Sequence, residues 1–263
     1  MLTIFTPVYN REDTLERLYE SLLRQNSKDF QWIVVDDGST DRSGELIKKF
    51  QLSSPFEIIY KYVSNGGKMR AINEGVALAS REFFFIVDSD DFITDNCVET
   101  INLYGKELPK SMGGMIFRKI ELNSQKISGK AYPKKVIDSS PIEIVYNLGI
   151  DGDKAEVFRT DILKKYPFNV YPGEKFIPEA RIWIKIGEEY KMRYIDEGIY
   201  YFEYLQDGYT YNFNRLLKNN PKGFRDYYKF MLSYPLPLKN KFKFLIRYLQ
   251  ASYYVFTSER RSK

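Results

Sequence analysis

Histidine is absent from the 263 residues, and Cys97 is the only cysteine. Without imidazole there is no Ser-His-Asp triad, no histidine general base and no His-ligated zinc. One thiol excludes internal disulfides and Cys-rich metal sites, and it fits a reducing compartment. Proton transfer is left to carboxylates, Lys, Tyr or a bound cofactor, and any metal to oxygen donors. No run is long and apolar enough to span a bilayer. The strand-like Leu2–Phe5 opens the chain without a basic, apolar leader, so the expectation is a soluble cytoplasmic protein.

What is present is ordinary for a folded chain: 43% hydrophobic and 29% charged residues, enough for one large α/β core with or without an appended segment. The net charge of +5 hides an uneven distribution. Residues 1–100 hold 11 Lys+Arg against 17 Asp+Glu, residues 101–214 hold 17 against 16, and residues 215–263 hold 12 against 2. An acidic head and a basic tail are surfaces for different partners.

Residues 1–108 alternate strand and helix patterns. Leu2–Phe5, Phe30–Val35, Phe56–Val63 and Phe83–Val87 are apolar, β-branched or aromatic runs. Between them fall a helix capped by Asp13 and carrying Leu15, Leu18 and Leu22, then helices over Ser43–Phe50 and Met69–Ala79, with another over Asn96–Leu108. Strands apolar on both faces imply a parallel sheet covered by helices on both sides. Beyond it, Met115–Leu122 and Tyr194–Tyr204 read as strands, and Ser139–Asn147 and Arg181–Tyr190 as helices. From Arg215 the pattern is helical, broken at Pro235-Leu236-Pro237.

Three of the expected strands run into polar clusters: Thr6-Pro7-Val8-Tyr9-Asn10, Asp36-Asp37-Gly38-Ser39-Thr40-Asp41 and Asp88-Ser89-Asp90-Asp91. In a parallel sheet these tips share the edge where ligands bind. Asp88 and Asp90, two residues apart in an extended turn, face the same way, and two hard oxygen donors suit Mg²⁺ or Mn²⁺ on a diphosphate. The plainer reading is a strand end followed by a helix cap. Asp36-Asp37-Gly38 is either a turn or an acceptor for a base N–H. Asn65-Gly66-Gly67-Lys68 is either a turn or a phosphate contact at a helix start. Tyr9 either packs or stacks on a base.

Taken in order, these clusters, with Ala71 and Asn73 after Lys68, resemble the nucleotide-sugar-binding half of family 2 glycosyltransferases of the GT-A fold. The resemblance implies a Rossmann-like α/β fold, a mostly parallel sheet flanked by helices. It divides the chain into a domain over 1–214, with a nucleotide-binding half (1–108) and an acceptor-binding half (109–214), and a C-terminal helical extension over 215–263. It implies that Thr6, Pro7 and Tyr9 line a base pocket and that Asp36 accepts from the uracil N3–H. Lys68 then lies near the ribose or phosphates, Asp88 and Ser89 on the ribose side, and Asp90 holds Mn²⁺ or Mg²⁺ against the diphosphate. Asp91 helps place the sugar or the acceptor. The implied reaction is inverting transfer of a sugar from a UDP-sugar to a glycan or lipid-linked acceptor in bacterial surface polysaccharide synthesis (capsule, exopolysaccharide or lipopolysaccharide-like). The Gln-x-x-Arg-Trp motif of processive synthases is missing, which implies one sugar per encounter.

The family's base comes from an acidic pair ahead of a helix. The comparable stretch is Gly173–Trp183, where the second acid is replaced by Ala180. Glu179 is the candidate base and Glu174 the fallback; Glu179 also reads as a helix first-turn acid after Pro178. A nucleotidyltransferase would need a Gly-rich basic loop after the first strand, and Thr6–Asn10 holds neither Gly nor Lys. Ala180 leaves open a non-catalytic nucleotide-sugar-binding scaffold.

In the tail, Phe224, Tyr227, Tyr228, Phe230, Tyr234, Phe242, Phe244, Tyr248, Tyr253, Tyr254 and Phe256 interleave with Lys and Arg. Two readings stand: peripheral contact with the inner face of an anionic membrane, or packing on the core or on a second copy in a homo-oligomer. Nucleic acid is not expected, since the acidic first half repels phosphate.

Overall fold

The apolar runs of the first half build the parallel part of one nine-stranded sheet. The computed structural model describes residues 1–203 and 212–261. In chain order the strands are β1 (Leu2–Val8), β2 (Phe30–Asp36), β3 (Glu57–Tyr62), β4 (Phe83–Ile86), β5 (Phe92–Ile93), β6 (Gly114–Glu121), β7 (Val136–Ser139), β8 (Lys154–Arg159) and β9 (Met192–Phe202). The helices are α1 (Leu15–Leu23), α2 (Ser43–Ser53), α3 (Lys68–Leu78), α4 (Cys97–Lys106), α5 (Thr160–Leu163), α6 (Ala180–Glu189), α7 (Phe213–Asn219), α8 (Pro221–Leu232) and α9 (Leu238–Arg261). Residues 204–211, into which the strand expected to reach Tyr204 and the expected 109–214 half both run, lie outside the described residues.

The strand order is β3-β2-β1-β4-β8-β6-β9-β5, with β7 also on β9. β3, β2, β1 and β4 run parallel, and Val8 pairs with Asp36. The C-terminal tips of β1 and β2 are therefore level, with β4 on the other side of β1. β8 is antiparallel to β4 and to β6, β6 and β9 are parallel, and β5 and β7 are antiparallel to β9. The sheet is mixed rather than mostly parallel.

Alternation along each strand divides the core between the two faces. Ile4, Trp32 and Phe85 pack with Leu18, Leu22, Phe50 and Ile101, on the side of α1, α2 and α4. Phe5, Ile33 and Phe84 pack with Ile72, Val76, Trp183 and Ile186, on the side of α3 and α6. Gly75 lets α3 close on β1, because a Cβ there would lie 2.2 Å from the buried Phe5 ring. Gly75→Ala is expected to lower the urea midpoint: overpacking costs about 1–3 kcal/mol, which outweighs the better helix propensity of Ala at ~1 kcal/mol.

Several local expectations change in the folded chain. Thr14, not Asp13, is the N-cap of α1, and its hydroxyl donates to the Ser89 carbonyl at 2.8 Å. Ser139–Asn147 is not one helix: β7 ends at Ser139 and a π-helical turn covers Glu143–Asn147. Pro141 between them has no N–H to continue either pattern. β8, Lys-Ala-Glu-Val-Phe-Arg, has charged ends and no long apolar run, so it is not evident from the sequence. Its Arg159 is buried because the guanidinium donates to the carbonyls of Leu108 and Met112 and pairs with Glu82.

The tail is not a separate body. Leu217, Phe224, Tyr228, Met231, Phe244 and Ala251 form a third cluster with Ile184 of α6. The break expected at Pro235-Leu236-Pro237 falls between α8 and α9.

Candidate active site

A cleft of about 450 Å³ opens beyond the tips of β1, β2 and β4. One wall is made by Pro7, Tyr9, Arg11, Asp37, Asn65, Lys68 and the Asp88-Ser89-Asp90 turn, and the other by Lys175, Phe176, Leu216 and Asn220. All three strand-end clusters therefore meet, as parallel strands require. Of the residues expected there, Pro7, Tyr9, Lys68, Asp88, Ser89 and Asp90 border the cleft. Tyr9 is 48% exposed, so its ring face is open to a flat ligand.

Four expected residues, Thr6, Asp36, Asp91 and Glu179, are not among those that border it. Thr6 is fully buried and accepts from the Trp32 indole N–H at 3.0 Å. Asp36 is also buried, accepting from the Ser39 N–H at 2.7 Å and the Tyr60 hydroxyl at 2.9 Å. Asp91 accepts from the Tyr200 hydroxyl at 2.7 Å, with the Lys119 ammonium at 3.7 Å. Burial pushes the Asp91 carboxyl up to about 7, opposed by Lys119 and assisted by Asp88. The same Tyr200 hydroxyl accepts from the Asp88 N–H at 3.0 Å, so Asp91 supports the acidic turn from behind.

Asp37, next to Asp36, is the β2-tip carboxylate at the cleft. Its two oxygens accept from the N–H groups of Gly66 and Gly67, both at 2.7 Å, and its carbonyl accepts from Asn65. This pins the Asn65–Gly67 turn to the β2 tip. Gly67 has φ +93, and a Cβ there would lie 2.1 Å from the Lys175 carbonyl oxygen, so only glycine lets the two walls approach here.

The charge centre of the cleft is Lys68, the first residue of α3. Its Nζ lies 2.7 Å from Asp88 Oδ1 and 2.9 Å from Glu179 Oε1. Burial alone would depress this ammonium, but the two carboxylates reverse the effect and hold it well above the usual lysine range. Burial raises Asp88 in turn, and Lys68, Lys119 and Arg11 bring it below the ordinary aspartate value. Asp90 is looser, with Arg11 Nη2 at 3.9 Å from its Oδ2.

Glu179 and Glu174 part company in the fold. Glu179 is the N-cap of α6, yet its side chain makes no capping bond and pairs with Lys68. Glu174 accepts from the N–H groups of Lys222 at 2.7 Å and Gly223 at 2.8 Å, capping α8. Burial raises the Glu174 carboxyl, and those two N–H groups oppose the rise.

Glu156, on β8, was not among the expected site residues. Burial pushes its carboxyl up to about 7; Lys119 and Lys154 oppose the shift, and Glu179 adds to it. The folded chain thus keeps a proton that the unfolded chain releases near the ordinary value of 4.5, and stability falls as pH rises from there to about 7. Glu156→Gln, uncharged throughout, is expected to gain on the order of 1–3 kcal/mol near pH 8 and little near pH 4.5. Urea midpoints at the two pH values measure it. An equal gain at both would contradict the assignment.

The family model for Glycosyl transferase family 2 matches residues 3–165, more than half of the chain. The chain belongs to glycosyl transferase family 2. It is 27% identical over 216 residues to the GalNAc(5)-diNAcBac-PP-undecaprenol beta-1,3-glucosyltransferase of Campylobacter jejuni, covering 80% of this chain and 67% of that one. Its backbone resembles S. aureus TarS 1-349 in complex with UDP-GlcNAc, with TM-score 0.68 and 20% identity over 95% of this chain and 72% of that one. It also resembles the mannosyltransferase PcManGT from Pyrobaculum calidifontis in complex with GDP-Man and Mn²⁺, with TM-score 0.64 and 15% identity over 98% and 75%. The fold is therefore that of the GT-A glycosyltransferases. The chain spans only 21–34% of the length of four other curated relatives that it matches.

In this family 2 chain the matched stretch contains the Lys68 and Asp88–Asp90 wall and stops before Lys175, Glu179, Leu216 and Asn220. Of the second wall, Lys175 and Phe176 fall in the Gly173–Trp183 stretch that the resemblance singled out, whereas Leu216 and Asn220 carried no signal in the sequence. Leu216 and Asn220 reach the cleft only because α7 and α8 fold back onto α6.

Proposed function

We propose that this chain transfers one sugar from a UDP-sugar to a hydroxyl of a glycan or lipid-linked acceptor, with inversion, in bacterial surface polysaccharide synthesis. The observation that carries the reading is Glu179: its carboxylate leaves the helix it could cap and pairs with Lys68, which borders the cleft with Asp88 and Asp90 and also pairs with Asp88. The UDP-GlcNAc bound by TarS and the lipid-linked acceptor in the name of the Campylobacter relative support the donor and acceptor classes. A cytoplasmic location belongs to the same proposal, in keeping with the free thiol of the buried Cys97.

The donor set fits Mn²⁺ or Mg²⁺. Asp90 offers a carboxylate to the cleft, and among the described residues no three acidic side chains form a cage. Such ions are commonly held by one or two carboxylates, with substrate phosphates completing the shell. Asp90, with Asp88 nearby, would hold the ion, which supplies positive charge where the departing diphosphate becomes more negative.

The chain's own groups do the rest. Tyr9 offers a stacking face to the base, and Asp37, which borders the cleft where Asp36 does not, is the acceptor for its N3–H. Ser89, with Asp88, faces the ribose. Lys68 lends positive charge beside the phosphates and fixes Glu179, whose carboxylate accepts the proton of the attacking hydroxyl. Asp91 positions the acidic turn through Tyr200.

The test is incubation with Mn²⁺ and a panel of UDP-sugars. Saturable binding and slow release of UDP without acceptor are expected. Failure of both across the panel would overturn the reading.

A further inference from the structure

α9 has two opposed faces. Phe244, Ala251 and Val255 are buried on the inner one. On the outer one Leu238, Phe242, Leu245, Ile246, Leu249 and Tyr253 are between 43% and 84% exposed. Their spacing of three and four residues puts all six in one stripe, roughly 22 Å long at 1.5 Å per residue. A solvated helix face normally carries polar side chains, and a continuous row of large apolar groups marks a contact surface. Between Tyr227 and Ser258 the sequence has Lys229, Lys239, Lys241, Lys243 and Arg247 and no Asp or Glu. On the helix, Lys239 and Lys241 fall on either side of the stripe.

We propose that the outer face of α9 docks onto an anionic lipid bilayer, with the helix axis along the surface and the six apolar side chains at the headgroup boundary. Charge decides the occupant. A second copy would press two acid-free, Lys-bearing stripes together, whereas anionic headgroups supply the missing counter-charge. The helix lies on the bilayer and does not cross it: its inner face is engaged by α8, and among the described residues no helix is long and apolar enough to span. Docking also bears on the cleft. α8 packs along α9, and Asn220, the N-cap of α8, lines the cleft, so the donor site stands one helix away from the lipid surface. That consequence rests on the lipid-linked acceptor proposed above; the docking itself does not.

The test is co-sedimentation with phosphatidylcholine vesicles, with and without phosphatidylglycerol, for the full chain and two exposed-face variants. One is Leu245→Ser/Ile246→Ser/Leu249→Ser, and the other is Lys239→Gln/Lys241→Gln/Lys243→Gln. Binding to the anionic vesicles is expected to exceed binding to the neutral ones by about tenfold or more, to weaken with salt, and to fall about tenfold in either variant. Circular dichroism verifies that both variants are folded. Equal binding to the two vesicle types, or binding unchanged in both variants, overturns the proposal. So does a concentration-dependent dimer that the serine variant abolishes, because the stripe then belongs to a second copy. UDP release from a UDP-sugar is followed in parallel: its absence in all forms would count against sugar transfer and leave the docking result intact.

Discussion

Glu179→Gln is expected to lower kcat for sugar transfer by about 10²–10⁴-fold, the usual contribution of a positioned general base, with the affinity for UDP little changed. The substitution keeps the shape and removes the group that accepts the proton. It also removes one of the two carboxylates that hold Lys68 above the lysine range, so the Lys68 value falls. Glu174→Gln is the paired control. Its carboxylate caps α8 through two N–H groups, so its loss is expected to cost about 0.5–2 kcal/mol, in the range of other lost helix caps, and to leave kcat near that of the unaltered chain. Full turnover in the Glu179 variant would remove it as base and favour a scaffold. Collapse of kcat in a folded Glu174 variant would move the base there.

The second large effect is at Asp90. Asp90→Asn is expected to abolish Mn²⁺-stimulated transfer, a loss of about 10²-fold or more, since a metal supplies several kcal/mol of charge stabilisation in such reactions. Stability should barely move. The carboxylate is 27% exposed and its ion pair with Arg11 is long at 3.9 Å, so the pair contributes little in water. A Mn²⁺ titration of activity with an unfolding curve on the same sample separates the two effects. Unaltered Mn²⁺ stimulation in the variant would show that the ion is held elsewhere.

Both predictions rest on residues that the sequence singles out, but for different reasons. Asp90 belongs to a cluster at a strand end, where polarity changes abruptly after Phe83–Val87, and this local contrast is visible without coordinates. Glu179 and Glu174 are two acids in the same Pro- and Gly-containing stretch. No feature within that stretch shows that Glu174 meets the start of α8, nearly fifty residues later. Asp36 and Asp37 pose the same difficulty over a shorter range. Adjacent strand residues point to opposite sides, and the sequence does not say which side is the cleft. The structure gives Asp36 to Ser39 and Tyr60, and Asp37 to the Gly66–Gly67 turn at the cleft.

By itself, the sequence determined the four parallel strands, their covering helices and the meeting of three acidic or polar turns. Those follow from hydrophobic periodicity and from the rule that parallel strands end on one edge, and both are short-range properties. Tertiary structure alone decided that β8 joins β4, that Leu216 of α7 and Asn220 at the start of α8 complete the second wall, and that α9 buries one face while exposing an apolar stripe. Those outcomes depend on contacts between segments far apart in the chain. There the free energy of burying a side chain is set by its neighbours in space, which no window of sequence contains.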